Sequence, residues 1–208
     1  MNYLAHLLLS GENPDCQVGG LLGDFVKGPL RGDYPAPIEV GIRLHRAIDT
    51  RSAQLPAIRR LYPLFEAPWR RYAGIIIDIT FDHFLANHWR RYHPCSLASF
   101  CNGFYQQLAK QQALLPPGVL YFSQHAPKVG WLESYADEAL LGTILDRVGS
   151  RLSKPLDLGH GWLYVERHYA CFESAFTETM DELNHFAAGF LARENVPLNQ
   201  LKATDIKA

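Results

Sequence analysis

Histidines and aspartates recur at helical spacing in the first half of the sequence. His45 and Asp49 are four residues apart, a spacing that places both side chains on one face of a helix. By itself the pair fits a local hydrogen bond or a cap near the end of that helix. The same pair could also supply one nitrogen and one oxygen ligand to a metal ion.

Asp78 and Asp82 form a second pair with this spacing, among isoleucine and phenylalanine residues. Like charges four residues apart destabilise an exposed helix slightly, and burying them costs far more. A metal ion, an arginine such as Arg46, or a raised pKa on one carboxylate would offset that cost. The motif alone leaves a metal site and a salt-bridged core equally open.

The segment 19–28 is rich in glycine and contains Asp24 and Lys27. It lacks the ending of a Walker loop and does not match the dinucleotide-binding pattern. Its glycines would allow close backbone packing or a turn that exposes Asp24. Plain helix packing, with Asp24 as a cap, is the alternative.

Taken together, these motifs offer oxygen and nitrogen ligands, which suit Mn²⁺, Fe²⁺ or Zn²⁺. The adjacent Asp82 and His83 also resemble, in reversed order, the dipeptide of HD-type metal phosphohydrolases. Enzymes of that type use a metal to activate water and to neutralise phosphate oxygens.

The elements that must position these residues are predicted to be helices. Apolar residues at helical spacing, with proline and glycine between the segments, predict them. The predicted helices span residues 35–52, 67–93, 96–115, 131–152 and 160–193. No alternating strand pattern interrupts them, so we expect one all-α domain of roughly seven to nine helices over residues 1–195. Residues 196–208 are polar and are expected to form a flexible tail.

The composition limits the classes of protein that fit. The chain has 208 residues, 48% of them hydrophobic, and a formal net charge of −1. This excludes a largely disordered chain and argues against a nucleic-acid-binding protein with a uniformly basic surface. The sequence shows no membrane-spanning run and no export signal, and its four cysteines form no CxxC pair. We therefore expect a cytoplasmic protein that does not bind a membrane.

Four segments, in order, resemble the acyl carrier protein phosphodiesterase family. They are residues 1–7, 19–28, 41–49 and 78–84, and the similarity extends to about residue 190. The resemblance implies an all-helical, HD-like fold and a Mn²⁺-dependent hydrolase. The implied reaction removes 4′-phosphopantetheine from the serine of holo acyl carrier protein and leaves the apo protein.

The resemblance also implies a set of site residues. The metal ligands would be Asp24, His45, Asp82 and His83. His6, Asp49 and Asp78 would be alternative ligands or neighbours of the ligands, with Asp49 and Asp78 in the catalytic set. Arg46 or Lys27 would stabilise charge on the phosphate oxygens.

A basic docking face is expected as well, because carrier proteins are strongly acidic. Residues 1–93 contain eleven lysines and arginines against nine acidic residues, four of which are expected to face inward. The candidate docking residues are three arginine pairs, Arg59 and Arg60, Arg70 and Arg71, and Arg90 and Arg91. Ordinary solvated helix faces would explain the same arginines.

Three other functions fit parts of the sequence. A hydrolase of a small phosphate or nucleotide would share the metal site. A non-enzymatic helical binding module would use Asp78, Asp82 and Arg46 as a salt-bridged core network. A di-iron bundle would use the segment 182–185, but the second such motif that it needs is missing.

Overall fold

The fold consists of helices throughout the part of the chain that the structure describes. The structure, a computed structural model, describes residues 1–194. These residues form ten α-helices and six short 3₁₀ turns, with no strand among them. The α-helices are α1 (Tyr3–Leu9), α2 (Pro14–Leu22), α3 (Ala36–Ser52), α4 (Pro56–Arg59), α5 (Ala73–Asn87), α6 (Leu97–Lys110), α7 (Pro117–Val129), α8 (Glu138–Gly149), α9 (Trp162–Arg167) and α10 (Tyr169–Arg193). The all-α prediction is confirmed, with one helix more than the upper limit expected; residues 195–208, which include the predicted tail, lie outside the described residues.

Helices α2 and α3 pack backbone against backbone. A Cβ atom on Gly19 would lie 2.1 Å from the carbonyl oxygen of Ile38, and one on Gly41 would lie 2.1 Å from that of Cys16. No side chain fits at such distances, so glycine at both positions allows the close approach. The buried residues of α3, among them Ile38, Ile42 and His45, recur at helical spacing, so its packed face also carries a histidine.

Helix α5 is the central helix of the fold. It packs against α1, α8 and α10, and most of its residues are buried, including Ile77, Phe81 and Phe84. A helix that is apolar on all sides is typical of a fully surrounded position. This position explains how Asp82 of α5 comes to be completely buried.

The long helix predicted over residues 67–93 is wrong at both ends. Helix α5 occupies only Ala73–Asn87, between 3₁₀ turns at Trp69–Tyr72 and Trp89–Arg91. Each turn is anchored by an indole N–H, which Trp69 donates to the carbonyl of Asp157 and Trp89 to that of Cys95. Tertiary hydrogen bonds therefore override the continuous helical pattern of the sequence.

Helix boundaries in the second half also differ from those predicted. Helix α7 was not predicted, because the proline pair at 116–117 was interpreted only as the end of a helix. Pro117 in fact begins α7, in the first-turn position that proline favours. The predicted helix over 160–193 is interrupted at His168, and the one over 131–152 starts as a 3₁₀ turn before Asp137 caps α8.

We expect Gly19→Ala and Gly41→Ala each to lower the free energy of unfolding by about 1–3 kcal/mol, because the added methyl group must separate α2 from α3. Gly103→Ala is the matched control, since a Cβ atom there meets nothing within 4 Å. It should stabilise α6 by about 0.5–1 kcal/mol. Urea unfolding followed by circular dichroism measures all three, and equal effects at the three sites would contradict the packing argument.

Candidate metal centre

Three helices bring four of the predicted residues together. His45 and Asp49 lie one turn apart on α3, as their spacing predicted. His6 reaches them from α1, and Asp24 reaches them from the residues just after α2. The two histidines are buried, whereas about half of each aspartate side chain is exposed. The cluster thus has a buried nitrogen side and an open carboxylate side.

The polar atoms of this cluster lie within contact distance of one another. Nε2 of His6 lies 3.1 Å from Oδ1 of Asp49, and Nε2 of His45 lies 3.2 Å from its Oδ2. Oδ1 of Asp24 lies 3.5 Å from the same His45 nitrogen. The two imidazole rings stack with their centroids 3.7 Å apart. One ligand atom from each of His6, His45 and Asp49 lies within 4.8 Å of the other two.

The orientation of His45 is fixed by the backbone of α2. Its Nδ1 lies 2.7 Å from the carbonyl oxygen of Gly20, and since a carbonyl only accepts, Nδ1 carries the proton. A Cβ atom on Gly23 would lie 2.2 Å from the imidazole ring, so only glycine leaves room for it. Nε2 therefore points at the two carboxylates, the arrangement in which histidine ligands of metals are commonly held.

The electrostatics of the cluster favour a positive charge at His45 Nε2. Burial lowers the pKa of His45, but hydrogen bonds to Asp24 and Asp49 outweigh it and raise that pKa to about 9. Burial lowers the pKa of His6 to about 4. Burial acts to raise the pKa of Asp49, but hydrogen bonds to the two histidines hold it well below its usual range. A proton or a metal ion between His45 and the carboxylates would satisfy this arrangement.

The donor set fits a divalent metal. Two imidazole nitrogens and carboxylate oxygens suit Mn²⁺, Fe²⁺ or Zn²⁺, whereas no thiolate is present in the cluster. Nδ1 of His6 is buried and has no hydrogen-bond partner, whereas its Nε2 lies 3.1 Å from both the Met1 carbonyl oxygen and Oδ1 of Asp49. These residues could therefore hold an ion, and the structure is compatible with the predicted divalent metal.

Asp78 lies beside the cluster and outside the triad. Its Oδ1 lies 3.0 Å from the amino group of Met1, which is also 3.6 Å from Oδ1 of Asp49. Asp24, Asp49 and Asp78 together line one cavity of about 430 Å³. Asp78, which was predicted to be an alternative ligand or a neighbour of the ligands, thus lies close to the cluster but is paired with the amino group of Met1.

The structure does not bring Asp82 and His83 to the cluster. The two oxygens of Asp82 accept the backbone N–H groups of Leu4 and Ala5 at 2.8 and 3.0 Å. These N–H groups belong to the first turn of α1. Backbone N–H groups in the first turn of a helix have no acceptor within the helix. Burial raises the pKa of Asp82 to about 7 despite both hydrogen bonds. This carboxylate therefore caps α1 from a neighbouring helix.

Both ring nitrogens of His83 are engaged elsewhere. Nδ1 lies 2.9 Å from the carbonyl oxygen of Tyr135, and Nε2 lies 3.0 Å from the hydroxyl of Tyr169. Nδ1 therefore donates to the carbonyl, and Nε2 accepts from the hydroxyl. Within the described residues, no contact joins this ring to the cluster around His45.

Arg46 and Lys27 lie at a second opening of the cluster. The Arg46 guanidinium donates to the carbonyls of Val26 and Gly28 at 2.7 and 2.9 Å, so it does not form the core network with Asp78 and Asp82 that the sequence left open. A shallow pocket of about 290 Å³ is lined by both cationic residues together with Asp24 and Asp49. Two positive side chains thus flank the carboxylates on this side.

The six arginines predicted to dock a partner make mainly local contacts. Arg60 forms a two-bond ion pair with Glu178. Three others donate to nearby carbonyls: Arg59 to Ala53, Arg70 to Phe65 and Arg90 to Pro94. The Arg71 guanidinium lies over the ring of Tyr72, and Arg91 is exposed on its 3₁₀ turn.

Sequence reasoning missed two features of this region. The first is the Gly20 carbonyl, since a backbone group has no residue type to signal it. The second is a groove of about 500 Å³ next to the cavity, with Lys128, Arg147 and Arg151 among its lining. The four-residue spacing of Arg147 and Arg151 was the signal that could have identified it.

Comparisons with known proteins agree on one family. The profile of the family described as acyl carrier protein phosphodiesterase matches residues 1–183. Acyl carrier protein phosphodiesterases of Serratia proteamaculans and Yersinia pestis are 35% and 33% identical to this chain over 177 residues. The alignment covers 85% of this chain and 92% of each relative. The corresponding protein of Klebsiella pneumoniae is 33% identical over the same length.

Two further searches, one among solved structures and one for membrane-spanning helices within residues 1–194, found nothing. No solved structure is significantly similar to this chain. Among the described residues, no helix combines the length and apolar character that crossing a membrane requires.

We expect Asp82→Asn to lower the free energy of unfolding by about 1–3 kcal/mol, because an amide can accept only one of the two α1 hydrogen bonds and its NH₂ group faces the other donor. The metal content of the folded variant should stay at the wild-type level. Thermal unfolding and elemental analysis after dialysis measure the two effects. Loss of metal without loss of stability would restore Asp82 to the ligand set.

Proposed function

Since this chain belongs to the acyl carrier protein phosphodiesterase family, we propose that it hydrolyses the bond between 4′-phosphopantetheine and a serine of holo acyl carrier protein, at a metal centre formed by His6, His45 and Asp49. The family resemblance and the phosphodiesterase activity predicted from the sequence are confirmed. The acyl carrier protein is accordingly the substrate partner. The metal centre and the roles of single residues below are our proposals.

The observation that carries the metal centre is the orientation of His45. Its Nδ1 donates to the Gly20 carbonyl, so Nε2 is the ring nitrogen that faces the carboxylates of Asp49 and Asp24, and without a metal it carries the proton that their hydrogen bonds favour. A divalent cation could replace that proton between the nitrogen and the carboxylates. The stacked His6 ring adds a second nitrogen on the same side.

We assign His6, His45 and Asp49 as ligands, with Asp24 at the edge of the site. Mn²⁺ is the metal that we propose, in keeping with the family resemblance. A bound divalent cation would supply charge neutralisation at the phosphate oxygens and would acidify water. Of the four ligands implied by the resemblance, His45 remains a ligand and Asp24 lies at the edge of the site, while His6 and Asp49 take the places of Asp82 and His83.

The remaining residues act on the phosphate and on protons. Lys27 is exposed beside Asp24 in the shallow pocket, so its ammonium can approach a non-bridging phosphate oxygen. Arg46 lies in the same pocket but is held by two backbone carbonyls, so its positive charge stays fixed there. The half-exposed Asp24 carboxylate can orient the attacking water or accept its proton.

The reaction is a hydrolysis that balances without any further reactant. The oxygen of water bonds to phosphorus, and the bond from phosphorus to the serine oxygen breaks. One proton passes to the serine oxygen, which restores the hydroxyl of the apo carrier protein. The second product is free 4′-phosphopantetheine.

We expect incubation of the enzyme and Mn²⁺ with holo carrier protein to lower the carrier mass by that of the 4′-phosphopantetheine group, as measured by mass spectrometry. A chelator should stop the loss. Asp49→Asn and His45→Gln should each reduce turnover by at least about 10–100-fold, the loss that follows even from changing a partner of a metal ligand. Both should also reduce the Mn²⁺ retained per chain.

Asp181→Asn and His185→Gln are the matched controls, because both residues are exposed on α10 and away from the cluster. Wild-type turnover in the two cluster variants would contradict the proposed site. Release of product from nucleotide substrates, with none from holo carrier protein, would instead favour a small-phosphate hydrolase.

A further inference from the structure

A second depression lies next to the cavity of the metal cluster. It is the groove of about 500 Å³ already noted, between α7 and α8, and we call it the basic groove. Asn2, Tyr3, Ile79 and Val148 line both the basic groove and the cavity that contains Asp24 and Asp49. The two depressions are therefore adjacent, and a molecule in the groove would lie next to the cavity that Asp24 and Asp49 line.

The wall of the basic groove exposes large apolar side chains. Tyr121 is 61% exposed, Val129 is 68% exposed and Leu140 is 42% exposed, and all three line the groove. Isolated apolar residues on a surface need no explanation, but their concentration around one concave feature is typical of an interaction site. This lining favours an occupant with an apolar face.

The charged residues of the basic groove are all cationic. Lys128, Arg147 and Arg151 line it, and none of the described residues in its lining is acidic. All three are exposed, and no carboxylate within residues 1–194 forms an ion pair with them. Of the six docking arginines expected from the sequence, Arg60 differs in this respect, since it is paired with Glu178.

We propose that the basic groove binds an acidic amphipathic helix of the carrier protein, and so places the serine-linked phosphate over the metal cluster. Apolar side chains of that helix would contact Tyr121, Val129 and Leu140, and its carboxylates would pair with the three cations. This is the helix-in-groove mode of recognition. The proposal rests on the proposed function, because the carrier protein is its substrate.

The arrangement favours a helix of an acidic protein over other anions. A double-stranded nucleic acid presents phosphates along its whole length and would leave the apolar wall unmatched. A helix with apolar and acidic residues on one face would match a groove whose wall is apolar and whose charged residues, among them Arg147 on α8 and Arg151 just after it, are cationic. Opposite charges at the rim also accelerate the encounter of the two proteins.

The double variant Arg147→Glu/Arg151→Glu tests the proposal. With holo carrier protein, we expect KM to rise about tenfold or more while kcat changes less than twofold, because rim charges act on association and not on chemistry. The Kd for apo carrier protein, measured by fluorescence anisotropy without turnover, should rise by a similar factor. Added salt should weaken wild-type binding and affect the variant much less.

Arg167→Glu is the matched control, since it reverses one exposed arginine at the end of α9, outside the lining of the groove. It should leave KM and Kd unchanged. The glutamine double variant, Arg147→Gln/Arg151→Gln, replaces the charge reversal if that protein does not fold, and it should raise both constants in the same direction.

The outcomes separate this proposal from the proposed function. If wild-type enzyme releases no 4′-phosphopantetheine, the proposed function fails. If it does, and the double variant keeps wild-type KM and Kd, the groove proposal alone is overturned. If Arg91→Glu raises KM and Kd and Arg147→Glu/Arg151→Glu does not, docking occurs at the face predicted from the sequence and the groove proposal is wrong. Tight binding of a nucleic acid to the groove would also contradict the proposal.

Discussion

The hydrogen bond between His45 Nδ1 and the Gly20 carbonyl is the interaction on which the site depends. It determines which ring nitrogen faces Asp24 and Asp49, and so turns a local helical pair into a group of converging polar atoms. The bond forms only because α2 lies against α3 without intervening side chains. Gly19, Gly41 and Gly23 therefore contribute to the site through the space that they leave empty.

A buried carboxylate fixes the other half of the cluster. Asp82 of α5 holds the first turn of α1 through the backbone amides of Leu4 and Ala5, and His6 directly follows them. The helix turn that contains His6 is thus held in part by a cap that comes from a different helix. The energetic cost of burying Asp82 is offset by this attachment, which the central and apolar helix α5 makes possible.

The sequence predicted the fold class and the residue types of the site better than their geometry. Helical spacing was enough to place His45 and Asp49 on one face, because that relation is local. Asp82 and His83 showed the same kind of pattern, yet their side chains point to α1 and to Tyr135 and Tyr169. A buried polar group can bind a helix terminus or another polar cluster, and contacts between distant segments determine which. The spacing of residues within one helix does not encode these contacts.

In the described part of the chain, Asp24 and Asp49 lie between two openings that lead to the cluster. This arrangement has a consequence for the kind of phosphate ester that fits. Asp24 and Asp49 line both the larger cavity and the shallow pocket of Lys27 and Arg46. The two organic substituents of a phosphodiester extend from its phosphorus atom in two different directions. A centre that is accessible from two sides can accommodate both substituents at once, whereas a phosphate with a single substituent would leave one side to solvent.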